Sequence, residues 1–124
     1  TNIGAVAEAL LLASAGGADP SAVRDALRGG FADSRVLQEH GARMLERNFV
    51  PGGALTIHIK DLNNILEAAH ESGVSMPIAE KMLELFELVR DRLGGGGYDH
   101  SAVLLALEDL SKPNRVGSGD NKVP

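Results

Sequence analysis

Apolar residues recur at three- and four-residue spacing in six stretches of the chain, and that period predicts six helices. The first stretch, Ile3 to Ala15, carries Ile3, Val6, Ala7, Leu10, Leu11 and Leu12 and leaves only Glu8 and Ser14 polar. A helix without a polar face is expected to be buried on every side. Gly16-Gly17 stops it. Its start at Thr1-Asn2 offers no cap, so the helix is expected to continue a longer one.

Asp19-Pro20 supplies an N-cap and a proline at the first helical position of a second, short helix. Its inner face is Val23, Ala26 and Leu27, and Gly29-Gly30 ends it. Asp33 or Ser34 caps a third helix, with Val36, Leu37, His40 and Met44 inward and Glu39 and Arg43 expected to pair outside. Asn48 to Gly53 reads as a loop rich in turn residues. Ala54 to Ile59 alternates like a strand but has no partner strand, so it is expected to be an extended connection. A fourth helix follows from about Ile59 to Ser72, with Leu62, Ile65, Leu66 and Ala69 inward.

Pro77 starts the fifth helix, along which Ile78, Met82, Leu85, Phe86, Val89 and Leu93 form a stripe. Gly94 to Gly97 lacks the strand, Lys and Ser/Thr of a phosphate loop and is expected to be a flexible connection. Asp99 caps the last helix, with Val103, Leu104, Leu107 and Leu110 inside. From Lys112 onward apolar residues nearly vanish. The expectation is an all-α six-helix bundle over residues 1–111 and a disordered tail over 112–124.

Composition narrows the functional classes more than the fold. Seventeen acidic residues against twelve basic ones give a net charge of −5, which excludes nucleic-acid binding through bulk positive charge. No apolar run is long enough for a membrane span. The absence of cysteine excludes disulfides, thiol catalysis and cysteine zinc sites, and a reducing cytoplasm is the expected setting. Aromatic residues are only 3% of the chain, so the core must be built from Leu, Ala, Val, Ile and Met.

Few polar residues suggest chemistry on their own. Lys60-Asp61 at a helix start reads as a solvated first turn, with Asp61 favoured by the helix dipole. A lysine beside a turn-rich loop could instead hold an anionic substrate or cofactor group. His40, His58, His70 and His100 form no HxxxH or HExxH pair, so packing and surface roles are expected for them and no metal site. Asp99 and Ser101 read as capping groups.

Order along the chain says more. Asn2-Ile-Gly-Ala-Val-Ala-Glu8, Gly17-Ala-Asp-Pro20, Gly29-Gly-Phe31-Ala-Asp-Ser34, His58-Ile-Lys60-Asp61-Leu62 and Asp99-His100-Ser101-Ala102 follow one another over about residues 2–110. In this they resemble the C-terminal helical domain of the β-hydroxyacid dehydrogenases, within the 6-phosphogluconate/β-hydroxyacid dehydrogenase superfamily. The likeness is greatest to the reductases of 2-hydroxy-3-oxopropionate (tartronate semialdehyde), with the 3-hydroxyisobutyrate dehydrogenases next.

The resemblance implies an oxidoreductase using NAD or NADP, without a metal. It would act on a small hydroxy or oxo acid and work as a homo-oligomer. The family's Rossmann half has no counterpart here, since no G-x-G-x-x-G follows a strand. The family's catalytic lysine, in a Lys-x-x-Asn motif, would fall upstream of Asn2, so no catalytic residue is expected in this chain. Lys60 matches the lysine that contacts the nicotinamide end of the cofactor. Asp61, Phe31 and Ser34 match the substrate pocket. Gly53 stands where several relatives carry a phenylalanine, so the pocket wall is expected to be altered or supplied by Phe49. The alternative from another class is a non-catalytic helical association module, suggested by the apolar first helix.

Overall fold

The computed structural model describes residues 1–124 and is all-helical. Its helices are α1 (Asn2–Ala15), α2 (Pro20–Leu27), α3 (Arg35–Glu46), α4 (Leu55–Glu71), α5 (Pro77–Asp91) and α6 (Val103–Leu110). A short 3-10 turn, His100–Ala102, leads into α6. The capping signals act where the sequence puts them. Asp19 accepts from the Ser21 amide at 3.0 Å, and Ser34 Oγ accepts from Leu37 at 2.9 Å.

The centre of the bundle is α1, which packs against α2, α3 and α6, while α4 and α5 form a hairpin joined to α6 through α5. Ile3, Val6, Ala7, Leu10 and Leu11 enter the core with Leu37, Met44, Phe49, Leu55, Val89, Val103 and Leu104. Each fully buried Leu or Val contributes on the order of 1.5–3 kcal/mol.

Burial of α1 is one-sided rather than complete. Ala5, Glu8 and Ala9 are exposed, and Leu12 is 76% exposed. Apolar character all round therefore does not mean cover all round in this chain. Ile65, Ile78 and Leu110, expected inward, are also exposed.

Two connections and one ion pair depart from expectation. Ala54–Ile59 is not extended, because α4 already begins at Leu55, where Leu55 and Ile59 bury one face at helical spacing. The Leu55 amide donates to Tyr98 O at 2.9 Å, which anchors that first turn. The run Gly94–Gly97 is a packed turn. Gly94 adopts φ +68°, and a Cβ on Gly95 would lie 2.7 Å from both Val89 Cγ1 and Tyr98 Cδ2. Glu39 pairs with Arg35 at 2.8 Å, which frees Arg43 to turn toward the 48–53 loop.

The segment after Lys112, expected to be disordered, folds back as a strap. Val116 is completely buried, and Phe49 N–H donates to Lys122 O at 2.8 Å while Lys122 N–H donates to Arg47 O at 2.9 Å. Arg47 holds the strap from the C-terminal end of α3. Its backbone is left-handed, at φ 52°, a conformation that costs a non-glycine residue about 1–2 kcal/mol. Its guanidinium reaches Glu108 at 2.7 and 2.9 Å, Val116 O at 2.9 Å and Asn121 Oδ1 at 2.6 Å. One buried cation thus ties α3, α6 and the strap together. Apolar periodicity carries no trace of it.

Candidate functional site

The polar chemistry gathers where α3, α4 and the turn before α6 meet. His40 comes from α3, His58 from the first turn of α4 and His100 from the 3-10 turn. The His40 and His100 ring centroids lie 4.3 Å apart, and those of His58 and His100 lie 4.2 Å apart. His58 also leans on Phe86 of α5 at 6.1 Å. Sequence reasoning passed over these residues because no local metal or catalytic spacing links them. Only the packing of three elements does.

Asp99 is the fixed charge beneath them. It is fully buried. Its Oδ1 accepts from the Gly52 and Gly53 amides at 3.1 and 3.2 Å, and its Oδ2 accepts from the Ser101 amide at 2.9 Å and from Ser101 Oγ. Burial alone would push the carboxyl up, but these donors, led by Ser101, outweigh it and hold the group at about 2. Asp99 thus caps the 3-10 turn rather than α6 itself, and the same carboxylate pins the 52–53 loop. The Ser101 hydroxyl donates to Asp99 instead of capping an amide. Arg43 adds a cation 4.0 Å from Asp99 Oδ1 and donates to Val50 O at 2.7 Å.

Hydrogen bonding sets the histidine tautomers. His100 Nδ1 lies 3.1 Å from Gly53 O, which can only accept, so Nδ1 carries a proton. With Nδ1 holding its one proton, His100 presents a bare Nε2, to which a His40 Nε2–H can donate across 3.1 Å. That leaves His40 Nδ1 as a lone pair, buried without a hydrogen-bond partner and 4.0 Å from Asp99 Oδ2. Burial, followed by the neighbouring His100, lowers the proton affinity of both His40 and His58.

His58 and His100 open onto a pocket of about 380 Å³, whose walls include Asn2, Asp61, Met82 and Phe86. Gly53 lies beside the two imidazoles of that wall. A Cβ there would sit 3.2 Å from His100 Nδ1 and 3.6 Å from His58 Nε2, so imidazoles occupy the space beside this glycine. Phe49 does not replace the missing side chain. It is wholly buried in the core, with the Arg47 guanidinium 5.8 Å from its ring centre.

The residues singled out from the sequence fall in three places. Asp61 lines the histidine pocket. Lys60 is exposed beside it, with Nζ 3.5 Å from Asp61 Oδ1. Phe31 and Ser34 line a second depression of about 330 Å³ on the other side of Asn2, where Phe31 is fully exposed and Ser34 Oγ accepts from Asn2 Nδ2 at 3.0 Å. Asn2 lies on the rim of both, so the two depressions adjoin at the start of α1. His70 stays exposed at the end of α4, away from the cluster.

The family described as NAD-binding of NADP-dependent 3-hydroxyisobutyrate dehydrogenase matches residues 1–107. Over 107 residues the chain is 50% identical to a 2-hydroxy-3-oxopropionate reductase of Escherichia coli, a match covering 86% of this chain and 36% of the relative. It is 28% identical to an L-threonate dehydrogenase of Cupriavidus necator, over 93% of this chain and 38% of that protein. A crystal structure of 3-hydroxyisobutyrate dehydrogenase from Salmonella typhimurium superposes with a TM-score of 0.78 at 26% identity, over 83% of this chain and 36% of that one. The chain spans little more than a third of the length of these relatives.

Proposed function

Because the chain belongs to the family of the NAD-binding region of NADP-dependent 3-hydroxyisobutyrate dehydrogenase, we propose that it is the helical part of an NAD(P)-dependent reductase. That enzyme interconverts 2-hydroxy-3-oxopropionate and glycerate. The observation that carries this reading is the 50% identity to the Escherichia coli 2-hydroxy-3-oxopropionate reductase over 86% of this chain. A bound reduced nicotinamide supplies the hydride that such a reduction needs. Lys60 is suited to the cofactor side, since its ammonium is exposed and paired only with Asp61. Asp61, with Asn2 and the imidazoles of His58 and His100, forms one wall of the substrate cleft. Phe31 and Ser34 form the adjoining wall. The proton donor in this reading is a lysine on an N-terminal continuation of α1, whose first residues already border both depressions.

The test uses an enzyme carrying both halves. Lys60→Ala in that enzyme is expected to lose most turnover while its circular dichroism spectrum is retained. Unchanged kcat and KM would overturn the role of Lys60. The 124-residue chain alone is expected to be inactive, because in this reading the dinucleotide-binding fold and the proton-donating lysine lie outside it. Aldehyde-dependent oxidation of NADH or NADPH by the chain, above its Lys60→Ala variant, would refute that expectation.

The same reading includes self-association through the uncovered face of α1, where Leu12 is 76% exposed beside Ala5 and Ala9. Sedimentation equilibrium is expected to give a mass above 13.0 kDa that falls with dilution. A mass that stays at the monomer value at every concentration would remove the interface from the proposal.

A further inference from the structure

The histidine couple has an unusual arrangement of ring nitrogens. His40 and His100 bring their Nε2 atoms within 3.1 Å of each other, the rings meeting edge to face with centroids 4.3 Å apart. Each turns its Nδ1 outward, His100 to the Gly53 carbonyl at 3.1 Å and His40 to within 4.0 Å of Asp99 Oδ2. Metal-binding histidines share this second feature, because a carbonyl or carboxylate behind the distal nitrogen fixes the ring and raises its basicity. With metal–nitrogen bonds of about 2.0–2.1 Å, nitrogens 3.1 Å apart subtend an angle of about 100° at a shared cation. That is close to tetrahedral.

The neutral couple also carries an electrostatic conflict. One shared proton satisfies the Nε2–Nε2 contact, but it leaves the His40 Nδ1 lone pair pointing at a carboxylate, with no donor between them. A divalent cation bridging the two Nε2 atoms removes that conflict. His40 then carries its proton on Nδ1, toward Asp99, and both facing nitrogens are ligands.

We propose that His40 and His100 form a two-imidazole chelate for a late first-row divalent cation such as Zn²⁺, with Asp99 as the carboxylate behind it. Imidazole ligands suit Zn²⁺ and Cu²⁺, and without thiolates the site favours neither through softness. Asp99 stays outside the coordination shell. Both of its oxygens are committed to amide and hydroxyl donors, and Arg43 stands 4.0 Å from Oδ1. The remaining coordination positions belong to water or to a ligand entering by the pocket that His58 and His100 line. A cation here would add positive charge to that wall. This inference stands independently of the reductase reading, since it rests on the two rings and their partners alone.

Calorimetric titration of the 124-residue chain with Zn²⁺ at neutral pH is expected to show one equivalent bound. His40→Gln and His100→Gln should each weaken it by at least about tenfold, a loss of the size seen even for outer partners of metal ligands. His70→Gln should leave it unchanged. In the unaltered chain, substoichiometric Cu²⁺ should broaden the ring-proton resonances of His40 and His100 well before those of His70. That measurement keeps the test independent of whether the variants fold. Zn²⁺ binding that survives both glutamine variants, equal broadening at all histidines, or no binding at the highest soluble Zn²⁺ concentration would each overturn the proposal. In the last case the couple is a hydrogen-bonded histidine pair and nothing more.

Discussion

The strap and the histidine cleft both place a carboxylate out of water, and they complete it in opposite ways. Glu108 at the strap receives a two-pronged guanidinium at 2.7 and 2.9 Å and the Val116 amide at 2.7 Å. Opposite charge meets opposite charge, and Arg47 finishes with further partners on Val116 and Asn121. At the cleft, Asp99 is satisfied by neutral amides and a hydroxyl, with its nearest full cation 4.0 Å away. The imidazoles above it are left short of one donor. The first region is closed in charge, because Arg47 and Glu108 neutralise each other directly. The second retains binding capacity because its saturation stops one layer too early.

The largest expected effect breaks the closed side. Glu108→Ala strands the buried Arg47 cation, and uncompensated buried charge costs about 3–5 kcal/mol. Urea unfolding should show that loss, and limited proteolysis should cut first within residues 112–124. The double variant Arg47→Met with Glu108→Leu should recover much of the stability, because an apolar pair leaves no charge stranded.

Asp99→Asn tests the open side. The amide cannot accept from both loop and turn donors, and losing charged hydrogen bonds of this kind costs roughly 1.5–3 kcal/mol each. The pH dependence gives the sign. The folded carboxyl lies at about 2, below its ordinary 3.8, so its contribution is fully present above 3.8 and is lost as pH falls through about 2. Unfolding curves of the native chain and Asp99→Asn should therefore differ at neutral pH and converge toward pH 2. A gap that is constant with pH would mean the charge itself adds nothing.

Gly53→Ala is a smaller probe, aimed at geometry. Its Cβ would press on His100 Nδ1 at 3.2 Å, and crowding of this kind costs roughly 1–3 kcal/mol when the neighbour cannot move. We expect the low end of that range, with the His100 ring resonances shifted and those of His70 unmoved. Smallest of all is Lys60→Ala. Its pair with Asp61 is solvent-exposed, so thermal stability should change by less than about 0.5 kcal/mol, even where turnover of a complete enzyme falls.

Punctuation made most of the bundle legible. Asp19-Pro20, Ser34, Gly73 and Pro77 stop or start helices through local backbone chemistry, and local chemistry is what a sequence displays. Of the cleft, order along the chain pointed to Asp61, which lines the pocket, and to its exposed neighbour Lys60, but the three imidazoles come from three elements and meet only when those elements pack. Helical spacing alone pairs Arg43 with Glu39, yet loop carbonyls at Val50 and Asn48 are its partners in the fold. The strap was illegible for a different reason. One buried valine and one cation hold it, and neither creates a period.

The strap's fastenings join parts of the chain that are far apart in sequence, residue 47 to residues 108, 116 and 121. Contacts that close long loops lose chain entropy before they gain anything in return, so they tend to form after local helix packing. An element that docks after the rate-limiting step leaves the folding rate nearly untouched and governs how quickly the folded molecule comes apart. By that logic the last dozen residues are expected to act as a latch on lifetime, slowing the unfolding of the bundle far more than they speed its assembly.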